Sequence, residues 1–168
     1  AEPLRDALLT ASAALTNPMY GASQPVARQK NGEVIVTPGK NQNRRSIYVQ
    51  IQRLNPETML QVFDQPTMSV NCTQRSTSTV ATQALTLLNS PLLDRQARAF
   101  ARRLDVEAGR APVAVAQHAW RLAFGRDPRP DELSLARSFL ENAEAPWTET
   151  LADFCLVLFN LDEFLYVD

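Results

Sequence analysis

The residue types most often recruited for chemistry are scarce: one histidine, two cysteines, five glycines and two lysines among 168 residues. With His118 alone, a Ser-His or Cys-His nucleophile system has a single base to use. That residue falls beside the inward stripe of its helix near Trp120, with no partner at a telling spacing, so it reads as a structural histidine. Cys72 and Cys155 are far apart, and no CxxC, CxxCH or Cys/His ligand spacing exists, which argues against a haem attachment or zinc site built within this chain. They form either one disulfide, if the protein is exported, or two separate buried thiols. The glycines are scattered, and no GxGxxG or Walker pattern offers a phosphate-cradling loop. No apolar run approaches the roughly 18 residues of a membrane span. A basic excess is missing too: 17 basic against 18 acidic residues leave a net charge of −1, unlike a dedicated nucleic-acid binder.

What is present is ordinary globular composition, 45% hydrophobic and 21% charged, in a length that suits one domain with its own core. The expected fold is mainly α: a bundle of five to six helices with a small β-hairpin or extended arm. Residues 1–168 read as a single domain, with a helix plus loop and hairpin arm over 1–75 and a helical bundle over 76–168. The chain opens in mid-pattern, since Glu2 to Leu9 already reads as helix, the expectation for a C-terminal fragment of a larger protein.

Residues 2–16 carry Leu4, Leu8, Ala11 and Leu15 as a helical stripe that stops at Asn17-Pro18. Residues 19–43 are rich in Gly, Pro, Gln and Asn and read as loop, interrupted by the β-prone island 33–37. A second island, 45–52, alternates and would place Ile47, Val49 and Ile51 on one face, giving a hairpin with the first. Asn55-Pro56-Glu57 starts a short helix through Phe63, with Asn55 as cap. From Ser78 or Thr79 a helix carries Val80, Ala84, Leu87 and Leu88 inward. Ser90-Pro91 opens a longer one with Leu93, Ala97, Phe100, Ala101 and Leu104 as its apolar stripe. Pro112 opens another, with Val113, Ala116, Trp120, Ala123 and Phe124 inward and Gly125 closing it. Pro130 starts the next, burying Leu133, Ala136, Phe139 and Leu140. The last runs from Trp147 through Leu151, Phe154, Cys155 and Leu158.

Several fragments in order carry a resemblance. They are Arg45-Ser46-Ile47-Tyr48-Val49 with Arg53, then Phe63-Asp64-Gln65-Pro66, then Cys72 and Arg75 ahead of Gln83 to Asn89. Phe124-Gly125-Arg126-Asp127-Pro128 with Asp131-Glu132 follows, and Phe159 to Val167 closes the set. Together they resemble the C-terminal part of planctomycete-specific domain one. That family has no known function and occurs in large bacterial proteins that also carry a planctomycete-type cytochrome c domain. The resemblance implies an exported protein, periplasmic or at the cell surface, whose haem belongs to a separate domain, and no cofactor within this fragment. It offers no catalytic residues to carry over.

The charged residues divide into two groups. Arg95, Arg98, Arg102 and Arg103 read as a solvated helix face with ion pairs rather than an anion-binding patch. Arg44, Arg45, Arg53 and Arg75 flank the islands and the central loop, with Asp64 in the same region. Arg45, Arg53, Asp64 and Arg75 are the candidate binding or pairing residues, and an Arg75–Asp64 pair would lock loop to bundle. Glu163 is expected to pair with Arg126. Asp162 and Glu163, adjacent on a helix, point about 100° apart and do not supply two carboxylates facing one substrate. Trp147, Tyr48 and Tyr166 could line a sugar-binding face, although core or rim packing suits Trp147 better. The function these features favour is a non-catalytic interaction or scaffold domain. Its partners would be other domains of the parent protein or a protein subunit, with polysaccharide as a further candidate. The alternative is part of a redox or polysaccharide-processing active site completed by sequence elsewhere.

Overall fold

The computed structural model describes residues 1–66 and 81–166. They fall into two compact units, Ala1–Asp6 with Leu15–Leu87, and Ala7–Ala14 with Leu88–Asp168. The architecture is mainly helical with one small antiparallel hairpin, as the periodicities indicate.

The first unit takes the opening turn of α1 (Glu2–Ala11), the hairpin β1 (Val26–Arg28) and β2 (Val34–Val36), the short helix α2 (Thr58–Val62) and α3 (Ala81–Asn89) as far as Leu87. The hairpin closes at Asn31-Gly32. Gly32 sits at φ +89°, a conformation that favours glycine, and its N–H donates to the Gln29 carbonyl at 3.0 Å. Gln29 N–H reaches the Glu33 carbonyl at 2.7 Å, and Asn31 Oδ1 accepts the Glu33 N–H. The pairing sets Val26 against Val36, Ala27 against Ile35 and Arg28 against Val34. Val26 and Val34 then pack with Val49 and Leu60 into a small apolar core. The island 33–37 is thus a strand, but its partner is 26–28, inside the stretch read as loop.

Residues 45–52 are not a strand. Ser46 donates both its N–H and its hydroxyl to Asp6 Oδ1, each at 2.7 Å, and Ser46–Tyr48 winds into a 3₁₀ turn. That turn breaks the alternation: Val49 is buried, while Ile47 and Ile51 face solvent. What remains extended pairs through Gln24, whose N–H donates to the Tyr48 carbonyl at 2.7 Å in a parallel bridge with Val49. The helix α2 starts later than Asn55, because the buried Glu57 is its cap and accepts the Leu60 N–H at 2.7 Å.

In the second unit α1 ends at Ala11 rather than running to Asn17. Ala13 turns left-handed at φ 56°, and the N–H groups of Ala13 and Ala14 close on the carbonyls of Thr10 and Leu9, the bonds of a Schellman ending. Arg103 donates to the freed Ala11 carbonyl at 2.9 Å, and the Ser12 hydroxyl bonds Gln96 Oε1 at 2.7 Å. The bundle follows as α4 (Pro91–Ala108), α5 (Pro112–Phe124), α6 (Pro130–Asn142), α7 (Trp147–Phe159) and the short α8 (Asp162–Leu165).

Ser90 caps α4, as its position before Pro91 indicates, and the whole expected stripe from Leu93 to Leu104 is buried. Phe100 stacks on Phe159 with ring centroids 5.4 Å apart, and α4 packs chiefly on α7. Each such side chain contributes about 1.5–3 kcal/mol by leaving water. Gly125, at φ 70°, ends α5 as expected. Three apolar positions read as inward are instead exposed: Leu88 at 59%, Val113 and Phe139. Leu87, one step round the helix from Leu88, is buried as expected.

Candidate binding face and cleft

Two buried guanidinium groups organise the first unit. Arg5, 2% exposed, projects from the first turns of α1 and donates to the carbonyls of Gln42 and Arg44 at 2.8 and 2.9 Å, and to Ser46 Oγ at 3.2 Å. Asp6 lies 3.9 Å from it and receives Ser46. Burial lowers the Arg5 pKa from its ordinary value, against the upward pull of Glu57 and Asp6. Burial likewise pushes the Glu57 carboxyl up, opposed by the Leu60 N–H bond and the charge of Arg5. These groups pin residues 42–46 to α1.

Arg44, also 2% exposed, reaches the other way. Its Nη1 donates to the Ala22 carbonyl at 3.0 Å, and Nη2 to those of Pro18 and Tyr20 at 3.0 and 2.7 Å. The guanidinium lies 3.7 Å above the Tyr48 ring, and the Tyr48 hydroxyl accepts the Tyr20 N–H at 3.1 Å. A cleft of about 360 Å³ opens beside it, lined by Tyr20, Gln24, Pro38, Lys40, Gln42 and Arg44 among others.

Of the candidates read from the sequence, Arg45 is 3.6 Å from Asp6 and largely exposed. Arg53 is exposed, and Asp64 is half-buried with a left-handed backbone, φ 60°. Arg75 and Cys72 lie outside the described residues, and with them the Arg75–Asp64 pair. Next to this segment the chain presents apolar side chains to solvent: Ile47 at 79% exposed, Ile51, and Leu54 at 91%. The residues that pin residues 42–46, Arg5, Asp6 and Ser46, carried no local signal, because their bonds span roughly 40 positions.

The second unit offers ion pairs rather than a buried polar frame. Arg126 bonds Glu132 at 2.8 Å through both Nη groups and Glu163 at 2.7 Å through Nε, the pairing expected for the chain end. Held by Arg126, the Glu132 carboxyl falls to about 2, and that of Glu163 falls below its usual range. Arg98 spans Asp94 and Glu149, and Arg103 reaches Glu107, so two of the four arginines of this face are engaged in ion pairs. His118 meets Glu107 at 2.6 Å and is half-buried. Trp147 is half-buried at the head of α7 and donates its indole N–H to Asp105 at 2.8 Å. Cys155 is a buried free thiol whose pKa is raised by burial. Among the described residues no group of three or more His, Cys, Asp or Glu is placed to hold a metal ion, and no helix is long and apolar enough to cross a membrane.

One unit is a helical bundle, and the other is a small hairpin and loop unit whose backbone is held by buried arginines. The chain belongs to the family PSD1, described as a protein of unknown function (DUF1553), whose model matches residues 1–140. No curated protein and no solved structure matches the chain.

Proposed function

We propose that this is a non-catalytic interaction domain that docks another protein through the segment 45–54. The observation that carries the reading is the exposure of Ile47, Ile51 and Leu54 on a segment whose backbone is anchored from beneath by Arg5 and Asp6. Apolar side chains held out to water on a fixed frame mark an interaction surface more often than a flexible loop does. Exposed Arg45 and Arg53 flank them, so the partner is a protein with an apolar groove and an acidic rim. The family resemblance supports a setting in an exported, cytochrome c-associated protein, with haem in a separate domain and that domain or a subunit as partner.

Calorimetric titration of this chain into the cytochrome c domain of its parent protein, at two salt concentrations, tests the reading. Saturable binding is expected, about tenfold or more weaker in Ile47→Ser/Leu54→Ser, and moderately weaker at high salt because rim charges are screened. Binding that ignores the double substitution, or no binding at either salt, overturns it.

A further inference from the structure

The docking strip calls for an apolar surface with an acidic rim, and the second unit of this chain carries one. Leu135, 73% exposed, and Phe139 lie four positions apart on α6 and so share a face. The ring of Phe139 has its centroid 6.1 Å from that of Phe154 on α7, and exposed Val157 stands one turn beyond Phe154. Leu135, Phe139 and Val157 thus follow the seam where α6 packs on α7, and the bundle leaves all three in water. The rim of the seam is negative. Asp131 precedes Leu135 by one turn, Asp153 precedes Val157 by one turn, and Glu144 lies in the link between the two helices. All three carboxylates are exposed and have no side-chain partner among the described residues. Arg129 and Arg137 are already engaged by Glu132 and Glu141.

The strip on the first unit has the opposite sign. Beside Ile47, Ile51 and Leu54, Arg53 is exposed with no ion pair among the described residues, and Arg45 is largely exposed. Either surface paired with its own copy would set like charge against like charge, whereas strip on seam sets arginine against carboxylate around an apolar centre. We infer that the docking strip binds a second copy of this chain, which receives Ile47, Ile51 and Leu54 on its α6–α7 seam. The inference rests on the docking reading above and names the subunit that the strip meets. The two surfaces differ, so the contact is head-to-tail: one strip and one seam stay free at the ends, and association continues into a row or closes into a ring.

Sedimentation equilibrium of the full chain over a concentration series is the test. The expected result is a mass that rises past that of a dimer and falls back as salt is added. Ile47→Ser/Leu54→Ser and Leu135→Ser/Val157→Ser, all at exposed positions, should each weaken self-association about tenfold or more with the melting midpoint unchanged. Mixed one to one, these two variants should form a dimer that grows no further, because each supplies the surface the other lacks. Glu144→Lys/Asp153→Lys alters only the rim and should also weaken self-association, which keeps the test open if the serine pair on the seam unfolds. Wild-type association in any of these variants, or a mixture that stays monomeric, overturns the inference. A wild-type chain that is monomeric throughout overturns it as well. If the cytochrome c domain then still binds through Ile47 and Leu54, the docking reading stands and the second copy alone is refuted.

Discussion

The two units are held by different physics. The second buries a continuous apolar stripe along α4 and α7 and leaves its ion pairs largely in water, where each contributes little. The first has a small core of Val26, Val34, Val49 and Leu60, and its irregular backbone is fixed by buried arginines and carboxylates. A regular helix satisfies its own backbone, whereas a segment such as 16–25 or 37–50 must find donors elsewhere. Arginine, with five donors in a rigid fork, serves several carbonyls at once. The contrast shows that loop-rich sequence can be as fully specified as a bundle when its carbonyls have assigned donors.

Breaking each unit at its own support separates them. Arg5→Ala strands the carbonyls of Gln42 and Arg44 and leaves Asp6 with less counter-charge, and should destabilise the first unit by about 3–5 kcal/mol. Hydrogen exchange at the Val34 and Ile35 amides reads this out, while the fluorescence of Trp120 and Trp147, both in the second unit, should hardly change. Unchanged exchange in the variant would mean the guanidinium is not the support it resembles. Phe100→Ala should act in reverse, costing about 3–4 kcal/mol through the cavity left against Phe159. It should shift the tryptophan transition first, and exchange in the hairpin should lag behind.

Acid should divide the units by sign. The folded Glu57 pKa is raised, so its contribution is fully present below the unfolded value of 4.5 and is lost as pH rises through the folded value. Mild acid therefore strengthens the first unit. Glu132, depressed to about 2, contributes stability above 4.5 that is lost as pH falls from there toward 2. Urea midpoints followed by the two probes across pH 7 to 2 should diverge above 4.5, flatten for the first unit in Glu57→Gln, and lose the acid limb of the second in Arg126→Ala. Parallel curves would refute the assignment. The smallest effect is expected at Arg98, which bridges Asp94 and Glu149 in full solvent: Arg98→Ala should leave the tryptophan midpoint in place, at low and at high salt.

How much of this was legible follows the range of each signal. Ser90-Pro91, Pro112, Gly125 and Pro130 mark helix ends through local bonds, and those helices stand where the sequence puts them. The turn at Asn31-Gly32 reads as part of a loop, because three-residue strands are too short for their alternation to stand out from the chain around them. Ala13 carries no sign that it will turn left-handed, because a long-range bond from Arg103 and one from Ser12 to Gln96 help hold that ending. The alternation of 45–52 misled for a similar reason: Asp6, forty positions away, claims Ser46 and winds a turn there. Arg44 falls among the central arginines but not among the candidate residues, because nothing local says it is buried or which carbonyls it meets. The pairing of Glu163 with Arg126 was legible because few other partners suited the chain end.

The reach of Arg5 also bears on the order of assembly. Its bonds to Gln42, Arg44 and Ser46 span 37 to 41 residues, so the chain must close a loop of that length before the guanidinium is rewarded. In the bundle, α4 also reaches across to α7, but α5 and α6, and α6 and α7, meet as sequence neighbours, contacts that close over shorter loops and can form early in a collapsing chain. Refolding should then proceed in two phases, with tryptophan burial first and protection of the hairpin amides later. The desolvated arginine would act as a latch that sets only once the surrounding chain has arrived.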